Sequence, residues 1–174
     1  MKAFRFICTV SLVVVVFFSS CHRKTVPQSS TSPASTSATP TNNNNQVDVS
    51  NMENDILTYV NKYRRSKGLA ELQMLAVAST EAAKHSANMA ARRVAFGHTG
   101  FESRVSAISR SLGSASAAAE NVADGKLTAK QVVDGWLHSA GHKKNIEGKY
   151  TLTGIGVAKD AGGVIYFTQI FVRK

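Results

Sequence analysis

Cysteine is almost missing from this chain of 174 residues: Cys8 and Cys21 are present and none follows. A domain beyond Cys21 has no internal disulfide, so its stability rests on its core even in an oxidising compartment. Proline is as scarce, with all three at positions 27, 33 and 40. Acidic side chains number 11 against 21 lysines and arginines. The apolar run Phe6 to Phe18, broken only by Thr9 and Ser11, is about 13 residues, short of the ~18 that a membrane-spanning helix needs. No Gly-x-Ser-x-Gly elbow, phosphate-binding loop, dinucleotide fingerprint or His-Glu-x-x-His helix appears, so those chemistries have no motif behind them.

What is present begins with a leader. Lys2 and Arg5 precede the apolar run, the arrangement of a signal peptide over residues 1–20. The run closes in Phe18-Ser19-Ser20-Cys21, which resembles the lipobox of bacterial lipoproteins, with phenylalanine where leucine is more usual. That resemblance implies lipidation of Cys21 and a membrane as partner, reached through acyl chains that each contribute ~0.8 kcal/mol per buried CH₂. His22-Arg23-Lys24 bring no acidic residue after Cys21, which by the same resemblance favours the outer membrane, periplasmic or surface-facing. An ordinary secretory leader with an incidental cysteine is the plainer alternative.

Residues 21–49 change composition to Ser, Thr, Pro, Asn and Gln, including the run Asn42 to Asn45. Such a stretch buries too little apolar surface to offset its ordering entropy, so a disordered tether is expected. About 28 residues of flexible coil reach roughly 30 Å.

Residues 50–174 have the size of one domain with a single core. Ser50-Asn51-Met52-Glu53 reads as a capping box before Met52, Ile56, Val60 and Tyr63 at helical spacing, and Gly68 ends that helix. A second helix is expected over 76–92, with Ala78, Ala82, Ser86 and Met89 on one stripe whose small side chains allow close packing. A third opens at Thr128 with Gln131 completing a capping box, and buries Val132, Val133, Trp136 and Leu137. Residues 154–159 and 164–172 are strand-like and joined by Asp160-Ala161-Gly162-Gly163, a hairpin signal. Ile165, Phe167 and Phe171 point one way and Val164, Tyr166, Ile170 and Val172 the other, so the last strand needs cover on both faces. The expected class is α+β, a three-layer α/β/α sandwich with the C-terminal β-hairpin in a central, mainly antiparallel sheet.

Three short motifs stand in fixed order: Phe96-Gly97-His98-Thr99, Ala119-Glu120-Asn121-Val122 and Gly141-His142-Lys143-Lys144-Asn145-Ile146. With the segment Thr128 to Ser139 between the last two, they resemble the bacterial branch of the CAP superfamily. These are the SCP-like extracellular domains related to cysteine-rich secretory and pathogenesis-related proteins. The resemblance extends to Ile56 to Arg64, Ala82 to Ser86, Gly154 to Val157 and Tyr166 to Phe171. It implies the same α/β/α sandwich and one binding cleft of His98, Glu120, Ser139 and His142, with His138 beside it. The family's second glutamate falls near Ser139, and this chain lacks it.

Two imidazoles and a carboxylate with a vacant position are a set that Zn²⁺ or another divalent cation accepts, with His98 and His142 as ligands. Without metal, Glu120 can serve as a general base. The plainer reading is a hydrogen-bonded polar cluster that fits helices to the sheet. The three groups lie 22 residues apart each time, so no helical spacing fixes their geometry. His138 lies beside Ser139. His85, in the alanine-rich helix, reads as structural, and Trp136 as core.

Loss of Lys2 and Arg5 with the leader leaves 19 basic residues against 11 acidic. Such a surface attracts anionic lipid, acidic cell-wall polymer or an envelope protein, and nucleic acid is not expected of an exported chain. Lys143-Lys144 place two charges directly after His142. The leading expectation is a lipid-anchored binding or scaffolding module of the cell envelope. The alternative is a metal-assisted, peptidase-like hydrolase using His98, His142 and Glu120.

Overall fold

Three features of the pattern set the architecture: a helical opening, an alanine-rich helix and a two-faced final strand. The computed structural model describes residues 51–174. The expected leader, Cys21, the tether and Ser50 lie outside the described residues. Helix α1 (Met52–Ser66) buries Met52, Ile56 and Val60, while Tyr63 is half-buried. Its cap differs from the expected box, because Asn51 takes the N-cap position and makes no side-chain cap hydrogen bond. Glu53 and Asp55 still place negative charge in the first turn and Arg64 and Arg65 positive charge in the last, which the helix dipole favours. Gly68 follows at φ +70°, a conformation that glycine adopts without a Cβ penalty.

Strand β1 (Gln73–Met74) leads into α2 (Ala76–Ala90). The stripe Ala78, Ala82, Ser86 and Met89 is buried as expected. The helix stops short of residue 92, and Arg92 adopts φ +55°, outside helical space. Helix α3 (Phe101–Leu112) and strand β2 (Ala117–Gly125) follow, neither among the elements expected from the sequence. Helix α4 (Ala129–His138) opens with the predicted capping box, Thr128 Oγ1 accepting from Gln131 N and Gln131 Oε1 from Thr128 N. It buries Val132, Val133 and Trp136, with Leu137 half-buried. The seven-residue α5 (Ala140–Ile146) continues from it.

Strands β3 (Leu152–Lys159) and β4 (Ile165–Arg173) form the expected hairpin, tied by Asp160 Oδ1 accepting from Val164 N at 2.9 Å. The sheet order is β1-β3-β4-β2, antiparallel except for the short β1–β3 pair. Both faces of β4 are covered. Ile165, Phe167 and Phe171 pack with residues of α1 and α4, whereas Ile170 and Val172 pack with Ala78, Ala82 and Ile108 from α2 and α3. The result is the three-layer α/β/α sandwich.

One contact explains the alanine stripe. A Cβ built on Gly154 would fall onto the backbone of Ala78 and Ser79, and one on Gly156 onto Ala82 and Ala83. Glycine on the strand and alanine on the helix therefore let α2 lie directly on β3. Ser86 Oγ seals that seam by donating to the Gly156 carbonyl at 2.8 Å.

Candidate functional site

Strand β2 is the sheet's outer strand opposite β1, and its alternation sends adjacent side chains to opposite faces. Glu120 pairs with Ile170 and faces the α2–α3 layer, while Asn121 pairs with Gln169 and faces the α4–α5 side. Each anchors a different part of the site.

Glu120 is held by an arginine that sequence reasoning missed. Arg104, buried on α3, donates from Nε to Glu120 Oε2 and from Nη2 to Oε1, each at 2.8 Å. Its Nη1 donates to the Thr99 carbonyl at 2.8 Å, which fixes the turn carrying His98. His98 Nδ1 then donates to Glu120 Oε1 at 2.9 Å. A carboxylate here only accepts, so Nδ1 carries a hydrogen and Nε2 points away from Glu120. Exposure divides the pair: the His98 side chain is 54% exposed and that of Glu120 is 1%.

His85 supports the same turn from α2. Its Nε2 donates to the Gly97 carbonyl at 2.7 Å, and burial lowers its pKa, with Arg104, Glu120 and His98 close enough to add smaller effects. The structural role read from the sequence fits this position. The signal for Arg104 was available: it shares a helical stripe with Ile108, and glycines at 100 and 113 bracket the helix.

On the other face, Asn121 Nδ2 donates to the His142 carbonyl at 3.2 Å. Asn145 Nδ2 donates to Asn121 Oδ1 at 2.9 Å and to the Glu120 carbonyl at 3.2 Å. Trp136 Nε1 donates to the Val122 carbonyl at 3.4 Å. These bonds dock α4 and α5 against β2 and satisfy carbonyls along it. His142 is half-buried; burial lowers its pKa first, and the like charge of His98 lowers it further. His98 and His142 thus come from different elements and lie within electrostatic reach of each other.

Ser139 and His138 occupy a different role from that expected beside the cleft. Ser139 is the joint between α4 and α5, its carbonyl accepting from Lys143 N at 2.8 Å and its side chain making no cap hydrogen bond. His138 is exposed and donates from Nδ1 to the Asp134 carbonyl of its own helix.

The donor set does not fit a metal ion well. Both Glu120 oxygens already accept from Arg104, and among the described residues no three His, Cys, Asp or Glu side chains converge on one point. A general-base role for Glu120 meets the same obstacle, since substrate cannot reach a carboxylate 1% exposed. What the face offers instead is the half-exposed His98 ring, His142 and the 53% exposed Phe96.

Comparison with known proteins agrees with this architecture. The profile of the cysteine-rich secretory protein family, CAP, matches residues 57–171. The chain belongs to the CAP family. It is 31% identical over 147 residues to the uncharacterized protein YkwD of Bacillus subtilis, a match that covers 84% of this chain and 56% of that relative. The chain therefore spans little more than half of that relative's length. Among solved structures, an extracellular protein containing an SCP domain from Bacillus anthracis superposes with a TM-score of 0.61 at 26% identity, over 70% of this CAP chain and 40% of that one. An outer surface protein from Borrelia burgdorferi gives a TM-score of 0.65 at 19% identity, over 74% of this chain and 96% of that chain. This CAP domain carries no cysteine after Cys21.

Proposed function

We propose that this CAP domain is exported, held at the membrane by a lipid on Cys21, and acts as a binding or scaffolding module of the cell envelope. The observation that carries the reading is the Arg104 clamp on Glu120. It commits the buried acid of the cleft to a structural ion pair and leaves a surface of two histidines and Phe96, suited to recognition. An envelope location is supported by two proteins of similar structure, one extracellular and one an outer surface protein. Among the described residues no helix is long and apolar enough to cross a membrane. The excess of basic residues suits anionic lipid, wall polymer or an acidic face of an envelope protein.

Fractionation of cells tests the anchor: the wild-type chain is expected with membranes and Cys21→Ser in the soluble envelope fraction. Co-sedimentation with isolated envelopes tests the face, and His98→Ala/His142→Ala is expected to lower retention with the fold intact. Zinc titration of the full chain in detergent tests the hydrolase alternative. Tight binding abolished in the double histidine variant would overturn the present reading and revive metal-assisted hydrolysis.

A further inference from the structure

Beside α5 lies a depression of about 550 Å³, within the range of small-molecule sites. Lys143, Lys144 and Lys149 line it together with Glu147, Tyr150 and Ala140. Lys143 Nζ lies 4.0 Å from Glu147 Oε1, so Lys144 and Lys149 are the charges left over, and a further positive charge stands behind the wall. Arg64 is 2% exposed, and all of its hydrogen bonds go to carbonyls: Ala70 at 2.7 Å, Ile146 at 2.6 Å, Gly148 at 2.9 Å and Tyr150 at 3.1 Å. No carboxylate neutralises it there, so its field adds to that of the lysines. Carbonyls of the segment 146–150 are thereby pinned, and the depression is shaped before any ligand arrives.

The chemistry of the lining narrows the ligand. Lysines supply point charges that suit a phosphate group, and the lining presents no arginine fork for bidentate recognition of a planar anion. Glu147 would repel a bare polyanion but can accept from hydroxyls. Its Oε1 already accepts from Tyr63 Oη at 2.6 Å, which leaves Oε2 for a ligand. The Tyr150 ring, held against Phe171 at 5.6 Å between centroids, supplies a fixed apolar surface for a sugar ring. We propose that this depression is a subsite for a phosphorylated saccharide, with Lys144 and Lys149 taking the phosphate and Glu147 a ring hydroxyl. The assignment rests on the envelope-binding reading above and names the ligand chemistry for it.

Calorimetry of the full chain in non-ionic detergent tests this, with fructose 1,6-bisphosphate as probe and inorganic phosphate and fructose as its separate parts. Saturable binding of the bisphosphate, tighter than either part, is expected. Lys144→Ala/Lys149→Ala should weaken it about tenfold or more, because both ammonium groups that take the phosphate are lost. Both lysines are exposed, so the variant keeps its fold. Arg92→Ala/Arg93→Ala removes equal charge at two other exposed positions and should change binding by less than about twofold. No saturable binding, or equal loss in the two variants, would overturn the proposal. A phosphorylated glycolipid or phosphatidylglycerol added to the micelles then identifies the source. Competition by the glycolipid alone marks a lipid headgroup, and competition by neither marks a free saccharide. Equal competition by both means charge attraction only and overturns the site. The anchor and the histidine face are untouched by these variants, so failure here leaves the envelope reading standing on its own tests.

Discussion

Arg104 grips Glu120 through both carboxylate oxygens, at 2.8 Å each, with the acid 1% exposed and the arginine 8%. Breaking one side of such a pair leaves an unpaired charge in a dry site. Arg104→Ala is expected to destabilise the domain by about 3–5 kcal/mol, the usual cost of stranding one member of a buried pair. The double variant Arg104→Met/Glu120→Gln should recover much of that loss, because neither charge then remains. Urea denaturation of the single and double variants measures the coupling. A single variant no weaker than the double would mean that the pair is not coupled.

The glycines of β3 carry a second expectation. A Cβ at Gly154 or Gly156 meets helix backbone, not a side chain that can rotate away. Gly154→Ala and Gly156→Ala should each cost at least about 1–3 kcal/mol, in the range of overpacked cores. Gly162→Ala in the hairpin turn is the control, its nearest neighbour being the Asp160 carboxylate at 3.3 Å. Thermal melts of the three variants give the comparison.

Much of this fold was legible because its signals are local. The box at Thr128–Gln131, the stripe on α2 and the two apolar faces of β4 each follow from spacing alone. Strand β2 was not legible as a strand. Its residues Ala117 to Ala119 have weak strand preference, and nine backbone pairings with β4 impose the conformation. Helix α3 was overlooked although Phe101, Val105, Ile108 and Leu112 repeat at helical spacing between Gly100 and Gly113; Arg104, the partner of Glu120, stands beside that stripe. His98, Glu120 and His142 were found by motif order. Which oxygen faces which nitrogen depends on contacts 16 to 25 residues apart, and no periodicity encodes those.

Stability should depend on pH through His85 and His142. Burial lowers both folded-state values from the ordinary 6.5, so the unfolded chain binds protons more readily. Their contribution is complete above pH 6.5 and falls as the pH drops from there toward the folded values. The urea midpoint should therefore decline between about pH 7.5 and about pH 5. His85→Gln/His142→Gln should flatten that part of the curve. A slope unchanged in the double variant would place the titrating groups elsewhere.

Tyr63 reports on the wall of the proposed saccharide site. Its hydroxyl donates to Glu147 Oε1 at 2.6 Å, and that hydrogen bond, with burial and the carboxylate charge, pushes the phenol pKa from 10.0 up to about 12. Glu147→Gln removes the charge but keeps an acceptor oxygen, so the phenol should return part of the way toward 10.0. Ultraviolet difference titration of the wild type and variant follows the phenolate, with Tyr63→Phe identifying its contribution. If a phosphorylated sugar engages Glu147, saturating fructose 1,6-bisphosphate should also move the near-ultraviolet signal of Tyr63 in the wild type near neutral pH, where the lysines are charged. In Lys144→Ala/Lys149→Ala that movement should vanish, because the ligand no longer reaches the carboxylate that Tyr63 shares.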